Sequence, residues 1–330
     1  MSLKIINSAI ATGKKKLSNK YFINLYKEKY NEDVSHLLID ILGKDNRYIC
    51  EDHESSITLG AEAVDKLLRE SNIKGSDIDA IVFTSQLPEY TFPTQSCLIH
   101  KHIKGKSTCY TLDINANCLG MLRGLDVINR YANDKSGNMR YVLLIGSDRL
   151  FKFTREEDIV LHANVGDGAC AFLLEYTEDA NKGIIGSSDR IISDLAGSIT
   201  FPACGMSNIM KTHGDGNMIH WSNIVPEAAS IGMRDAFEDI CKKHNIQSGE
   251  VDWYCGTQFS KVTFDEVADL CHIPESKRIF VGDKYGYTGT SSPFFALHTG
   301  IKSGKVKEGD LVLLSTVGVG DIVGSLLLRV

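Results

Sequence analysis

Apolar and polar positions along the chain follow two periods, and the succession of the two repeats. Helix-period patterns at 60–71 (GAEAVDKLLRES) and 228–244 (AASIGMRDAFEDICKKH) are each followed by a short apolar strand. The segments carrying those strands, NIKGSDIDAIVFTS at 72–85 and NIQSGEVDWYCGTQ at 245–258, align without a gap at an offset of 173 residues. The next units correspond as well. TCYTLDINANCLGMLRGLDVINRY at 108–131 and RIFVGDKYGYTGTSSPFFALHTGI at 278–301 each predict a strand, a polar turn and a helix. YVLLIGSD and GACAFLLEY then close the first half as strands, and LVLLSTVG and IVGSLLLRV close the second.

Both halves thus read helix, strand, strand, helix, strand, strand, which predicts an internally duplicated α/β chain with a pseudo-twofold axis. The halves are expected at 1–176 and 177–330. Near-continuous apolar strands suit sheets covered on both faces by helices. A ligand site is expected where the loops of the two halves converge.

Composition narrows the function. With 43% hydrophobic and 24% charged residues over 330 positions, the chain is expected to bury a large core. A net charge of −6 argues against nucleic-acid partners, and Lys14, Lys15 and Lys16, the one tight basic run, read as solvated surface. The N-terminal lysines lie on the wrong side for a signal peptide, and no run of about 18 apolar residues appears, so no membrane segment and a cytoplasmic location are expected. Nine cysteines, an odd number with no CxxC pair, read as reduced, mostly buried thiols. Cys204, His213 and His220 have no recognised metal-ligand spacing, and GVGDIVG at 318–324 misses the GxGxxG spacing. Neither a metal nor a cofactor is expected.

The stretch DINANCLGML at 113–122 sets Cys118 between a polar turn and a helix-like pattern. A thiol there is either a buried structural cysteine or a nucleophile, since the aligned N–H dipoles of a helix start favour the thiolate. Taken in order, DINANCLGMLRGLD, NVGDGACAFLLE and STVGVGDIVGSLLL resemble the thiolase superfamily, and within it β-ketoacyl-acyl carrier protein synthase III, from about Glu54 to Val330. The resemblance implies a thiolase-like fold, a five-layered αβαβα arrangement with two mixed sheets. Asp113, Ile114, Cys118 and Gly120 match the family's Asp-Ile-x-x-x-Cys-x-Gly turn, so Cys118 is expected to be acylated. Gly318-Val319-Gly320 falls on the family's glycine-rich turn, where the Val319 N–H would serve the oxyanion with that of Cys118.

Elsewhere the sequence departs from the family pattern. WYCGTQFSK puts Thr257 at the catalytic histidine, keeps Gln258 and puts Ser260 at the asparagine of that strand motif; KYGYTGTSS puts Tyr287 at the catalytic asparagine. A threonine hydroxyl donates one hydrogen bond but neither carries positive charge nor acts as a base near neutral pH. At the coenzyme A mouth, Leu37, Ile41 and Leu42 replace the family's tryptophan, arginine and threonine, while Gly43 and Arg47 are kept. An aliphatic chain cannot clamp phosphate as a guanidinium does. His162 and His220 are candidate replacement bases, with His220 where the family has an aromatic residue near the substrate tunnel. Phe92 of YTFPTQSC matches the phenylalanine that enters a partner subunit's acyl pocket, which implies a homodimer. The expected function is acyl transfer: Cys118 takes an acyl group from a carrier-protein or coenzyme A thioester and passes it to an acceptor. The alternatives are a condensing enzyme with a rearranged site, and a non-catalytic partner of an active paralogue.

Overall fold

The computed structural model describes residues 2–133, 139–179, 181–222, 226–320 and 322–330. Five strands form one mixed sheet in the order Ser2–Thr12, Gly168–Thr177, Tyr141–Asp148, Ala80–Thr84, Tyr110–Ile114. The last three run parallel, and Gly168–Thr177 is antiparallel to both its neighbours. The second sheet repeats this order with four strands: Gly183–Ile191, Ile322–Arg329, Leu311–Gly318 and Trp253–Gly256. Only its Leu311–Gly318 and Trp253–Gly256 pair is parallel.

The expected fifth strand of the second sheet is reduced to a single parallel bridge between Tyr254 and Arg278. Gln258 explains why the ladder stops there: its side-chain carbonyl accepts from the backbone N–H groups of Val281 at 2.7 Å and Gly282 at 3.0 Å. Those donors are diverted from a neighbouring strand to a side chain.

Strand alternation builds the layers. Leu143 and Ile145 turn outward to Leu59, Ala63 and Val64 of the helix Ser56–Ser71. Val142 and Leu144 turn inward to a central core shared with Leu122 and Leu125 of Gly120–Ala132 and with Phe294 and Phe295 of Ser292–Lys302. From the other sheet, Val312 and Leu314 join the central core. Leu311 and Leu313 face Met233 and Phe237 of Pro226–His244 and Phe264 of Lys261–Leu270. Two helices therefore lie between the sheets and two more cover the far face of the second, which is why the central strands read as unbroken apolar runs. Among the described residues, no helix is long and apolar enough to cross a membrane.

Candidate active site

The strand Tyr110–Ile114 delivers the chain to the Cys118 turn. Asp113 accepts from the backbone N–H groups of Gln95 at 2.6 Å and Ser96 at 2.8 Å, placing its carboxylate on the first turn of the helix Gln95–Ile103. This pins the segment from which the cysteine projects. Asn117 takes a left-handed backbone with φ +54°; its N–H donates to the Asn115 side chain at 3.0 Å and its own amide to the Val319 carbonyl at 3.1 Å. Cys118 sits in the turn Asn117–Leu119, which runs directly into Gly120–Ala132. Thr290 of the second half closes that helix start, its hydroxyl accepting from the Met121 N–H at 2.9 Å. A Cβ at position 120 would stand 2.6 Å from the same hydroxyl oxygen, so only glycine lets the two halves approach here.

Cys118 lines a cavity of about 570 Å³ at the junction of the halves. Thr257, Tyr287 and Val319 line it too, as do Leu37, Ile41 and Leu42. Residues separated by more than two hundred positions are thus brought around one thiol. Its walls are largely apolar, with Trp221 stacked on Phe259 at 5.5 Å and Phe259 edge-on to Tyr287 at 5.1 Å.

The electrostatics of the thiol differ from the expectation of a helix start. Burial pushes Cys118 up to about 12, outweighing the Tyr287 hydroxyl, which acts the other way by hydrogen-bonding to the thiolate; buried Asp148 adds to the rise. Tyr287 is itself held well above its ordinary range by burial, so it stays a neutral donor. Its backbone is fixed on both sides, the N–H donating to the Asn164 carbonyl at 3.0 Å and the carbonyl accepting from Gly166 at 2.8 Å. The thiol also reaches the Gln86 side-chain carbonyl at 3.6 Å.

Gln86 is positioned by Asp148, a fully buried carboxylate at the end of Tyr141–Asp148. Asp148 accepts from Ser85 Oγ and the Gln86 N–H at 2.9 Å each, from Leu87 N–H at 3.3 Å and from Thr290 N–H at 2.9 Å. Burial nevertheless raises it to about 6, since those donors offset only part of the lost hydration.

Thr257 follows the strand Trp253–Gly256 with its N–H on the Ser315 carbonyl at 2.8 Å, and its buried hydroxyl finds no hydrogen-bond partner among the described residues. A polar atom so placed on a cavity wall is available to a ligand. The residues beside it have structural work instead. Ser260 Oγ donates to the Ile41 carbonyl at 3.0 Å and caps the helix Lys261–Leu270, accepting from Thr263 N–H at 3.4 Å. Arg47 is no phosphate clamp. It is fully buried, donating to the Ala163 carbonyl at 2.6 Å and to Asn19, with its guanidinium 4.8 Å over the Phe22 ring.

Neither histidine joins the site. His162 Nδ1 lies 2.8 Å from the Thr154 hydroxyl, its ring packs on Phe22 and Phe151, and burial lowers its affinity for a proton. His220 pairs with Thr200 in a two-residue ribbon, and strand alternation sends the next residue, Trp221, into the cavity wall. Trp221 thus joins Phe201, Phe259 and Tyr287 as an aromatic of the wall, and His220 does not line it. Phe92 is 85% exposed and does not line the cavity of its own chain. Gln86, Asp148, Trp221 and Glu266 escaped the sequence reading; only Asp148, an acid ending an apolar strand, carried a usable signal. Among the described residues, no group of three or more His, Cys, Asp or Glu side chains is arranged to hold a metal ion.

Comparison with known proteins completes the picture. The family model for 3-oxoacyl-[acyl-carrier-protein (ACP)] synthase III matches residues 112–190, and the model for its C-terminal part matches 241–330. Over 324 residues, 97% of this chain and 96% of its relative, the sequence is 29% identical to the β-ketoacyl-[acyl-carrier-protein] synthase III of Bartonella bacilliformis. The corresponding Aquifex aeolicus protein is also 29% identical, over 278 residues that cover 84% of this chain and 85% of the other. Its crystal structure superposes with a TM-score of 0.87 at 27% identity, covering 99% of this chain and all of that one. The priming β-ketosynthase of the R1128 polyketide pathway, 18% identical, shares the thiolase-like fold with a TM-score of 0.88, covering 100% of this chain and 96% of its own.

Proposed function

Because this chain belongs to the 3-oxoacyl-[acyl-carrier-protein] synthase III family, we propose that it is an acyltransferase in which Cys118 carries the acyl group as a thioester and hands it to an acceptor without decarboxylation. The observation that carries the reading is a thiol on an apolar cavity whose nearby polar groups are hydroxyls and amides, with no histidine among the described lining residues.

In the first half-reaction Sγ attacks the thioester carbon. The Cys118 and Val319 N–H groups take the developing oxyanion, and the thiol proton leaves with the departing thiol. The Tyr287 hydroxyl stabilises sulfur whenever it bears charge. The unpartnered Thr257 hydroxyl supplies one donor for a substrate carbonyl. Decarboxylation develops an enolate that the family meets with a histidine and an asparagine, and the resemblance puts Thr257 and Tyr287 at those positions. Neutral hydroxyls give that enolate less than a cationic imidazole would.

A condensing reaction is the second reading, supported by the two hydroxyls of Thr257 and Tyr287 on the same cavity. The donor is read as an acyl chain on a carrier protein or coenzyme A. The protein is read as a homodimer in which exposed Phe92 fills the partner's pocket, an assembly that sedimentation of native protein and Phe92→Asp would test. The deciding experiment is intact-protein mass after incubation with acyl-coenzyme A and acyl-carrier thioesters, for native protein and Cys118→Ala. A gain of one acyl group confined to the native protein supports acyl transfer. No gain with any donor refutes it, and carbon dioxide release from malonyl-carrier protein, dependent on acylated Cys118, favours condensation.

A further inference from the structure

One lining side chain stands apart chemically. Among the described residues of the cavity wall, Glu266 is the one acidic side chain, and no lysine, arginine or histidine lines the space. Ser230, fully buried on the adjacent helix Pro226–His244, donates to Glu266 Oε2 at 2.8 Å and so fixes the carboxylate. Val262, one helical turn earlier on Lys261–Leu270, also lines the cavity and is 48% exposed, which places Glu266 where the cavity opens to solvent. Low-dielectric walls focus the field of a lone carboxylate and make the mouth attractive to a cation.

The neighbourhood of the thiol adds an independent constraint. An alcohol must shed its proton as it attacks an acyl carbon, and it needs a base to take it. Apart from Glu266, which Ser230 holds, the polar side chains of the described lining are amides, hydroxyls and the Cys118 thiol, none of them a base near neutral pH. A neutral amine attacks a thioester with its own lone pair and needs no such group.

We propose that the acceptor is a primary amine, gathered at the mouth as its ammonium ion by Glu266; this rests on the acyl-transfer reading above. Solvent at the mouth takes one proton from the ammonium. The amine nitrogen then bonds to the acyl carbon of acyl-Cys118, the C–S bond breaks with its electron pair going to sulfur, and the nitrogen's surplus proton passes to that sulfur. The products are an amide and the free Cys118 thiol.

The test chases mass-verified acyl-Cys118 enzyme with increasing 1-hexylamine or 1-hexanol, following loss of the acyl mass per acylated molecule and identifying the product. Hexylamine should clear the enzyme as the N-hexyl amide, hexanol at least about tenfold more slowly, and Glu266→Gln should raise the amine concentration giving half-maximal clearance about tenfold. Clearance by hexanol at the amine's rate, or an unchanged amine dependence in Glu266→Gln, overturns the proposal. Calorimetric titration of hexylammonium chloride into the unacylated protein reads the site without chemistry. Binding weakened about tenfold in Glu266→Gln is expected, and no difference between the two proteins overturns the site. If the amine binds but no donor acylates Cys118, the acyl-transfer reading fails while the cation site stands. If Cys118 loads but Glu266 affects neither readout, only the present proposal fails.

Discussion

Asp148 holds Gln86 twice, accepting from its backbone N–H at 2.9 Å and from its side-chain amide at 3.4 Å, and Gln86 in turn accepts from the Cys118 thiol at 3.6 Å. Replacing Asp148 by asparagine puts an NH2 where Oδ2 now accepts from Thr290 N–H, so two donors would face each other in a buried site. Asp148→Asn should lower stability by about 2–3 kcal/mol in denaturant titrations. It should also change the alkylation rate of Cys118 through Gln86.

The same carboxylate gives a pH signature of definite sign. Folding raises Asp148 to about 6, above the value of about 3.9 it has in an unfolded chain. The folded form binds this proton more tightly, so the contribution to stability is complete below about pH 4 and is lost as pH rises through 6. From pH 4 to pH 7, native protein should lose about 2 kcal/mol relative to Asp148→Asn. A difference that instead moves in favour of the native protein with rising pH would show that the donors around Asp148 outweigh its desolvation.

Burial of Cys118, pushed up to about 12, predicts how its reactivity responds to pH. Alkylation by iodoacetamide, read from the mass of the Cys118 peptide, should climb about tenfold per pH unit from 7 to 10 with no plateau. Tyr287→Phe removes the hydroxyl that favours the thiolate, so at fixed pH it should slow alkylation several-fold while the slope stays the same. A plateau near pH 8 would show that the helix start outweighs burial.

How far this arrangement could be read from the chain follows from how each part is made. The duplicated strands and the Cys118 turn are local patterns, and they match the two sheets and the turn between Tyr110–Ile114 and Gly120–Ala132. Thr257 and Tyr287 were reached through motif alignment, and both line the cavity. The thiol's raised pKa was not legible, because burial around Cys118 comes from Leu87, Leu150, Leu161, Ile219 and Tyr287, which only the fold assembles. That Trp221 rather than His220 lines the cavity is illegible for a smaller reason: adjacent residues in a strand face opposite ways, and a two-residue ribbon leaves no period to read.

The mouth makes a prediction about donors. With aliphatic Leu37, Ile41 and Leu42 in its wall and Arg47 buried elsewhere, the 3′-phospho-ADP of coenzyme A has no cation to meet among the described lining residues. An acyl-pantetheine should therefore acylate Cys118 with kcat/KM within about threefold of the matching acyl-coenzyme A. A preference for the coenzyme A form of a hundredfold or so would reveal a phosphate site outside the lining.

Gly289 tests the link between the halves. Its φ is +63°, and a Cβ there would stand 2.3 Å from Asp148 Oδ2 and 2.6 Å from Gln86 Nε2. Gly289→Ala should cost about 3 kcal/mol and alter Cys118 alkylation. Gly304→Ala, with φ +71° and open space around its Cβ, should cost about 1 kcal/mol and leave alkylation unchanged.

The contact of Asp148 with the Thr290 N–H is more than support for a glutamine loop. It makes Cys118 a reporter on the whole chain: Leu87, Leu150 and Leu161 of one half and Ile219 and Tyr287 of the other bury the thiol, and the carboxylate docked on a peptide N–H joins the two sides. An expressed fragment ending before Thr290 would retain the nucleophile and its turn yet lack the wall that gives them a chemistry. Damage to the second half, however remote from the thiol in sequence, would then register first as a cysteine that reacts with everything.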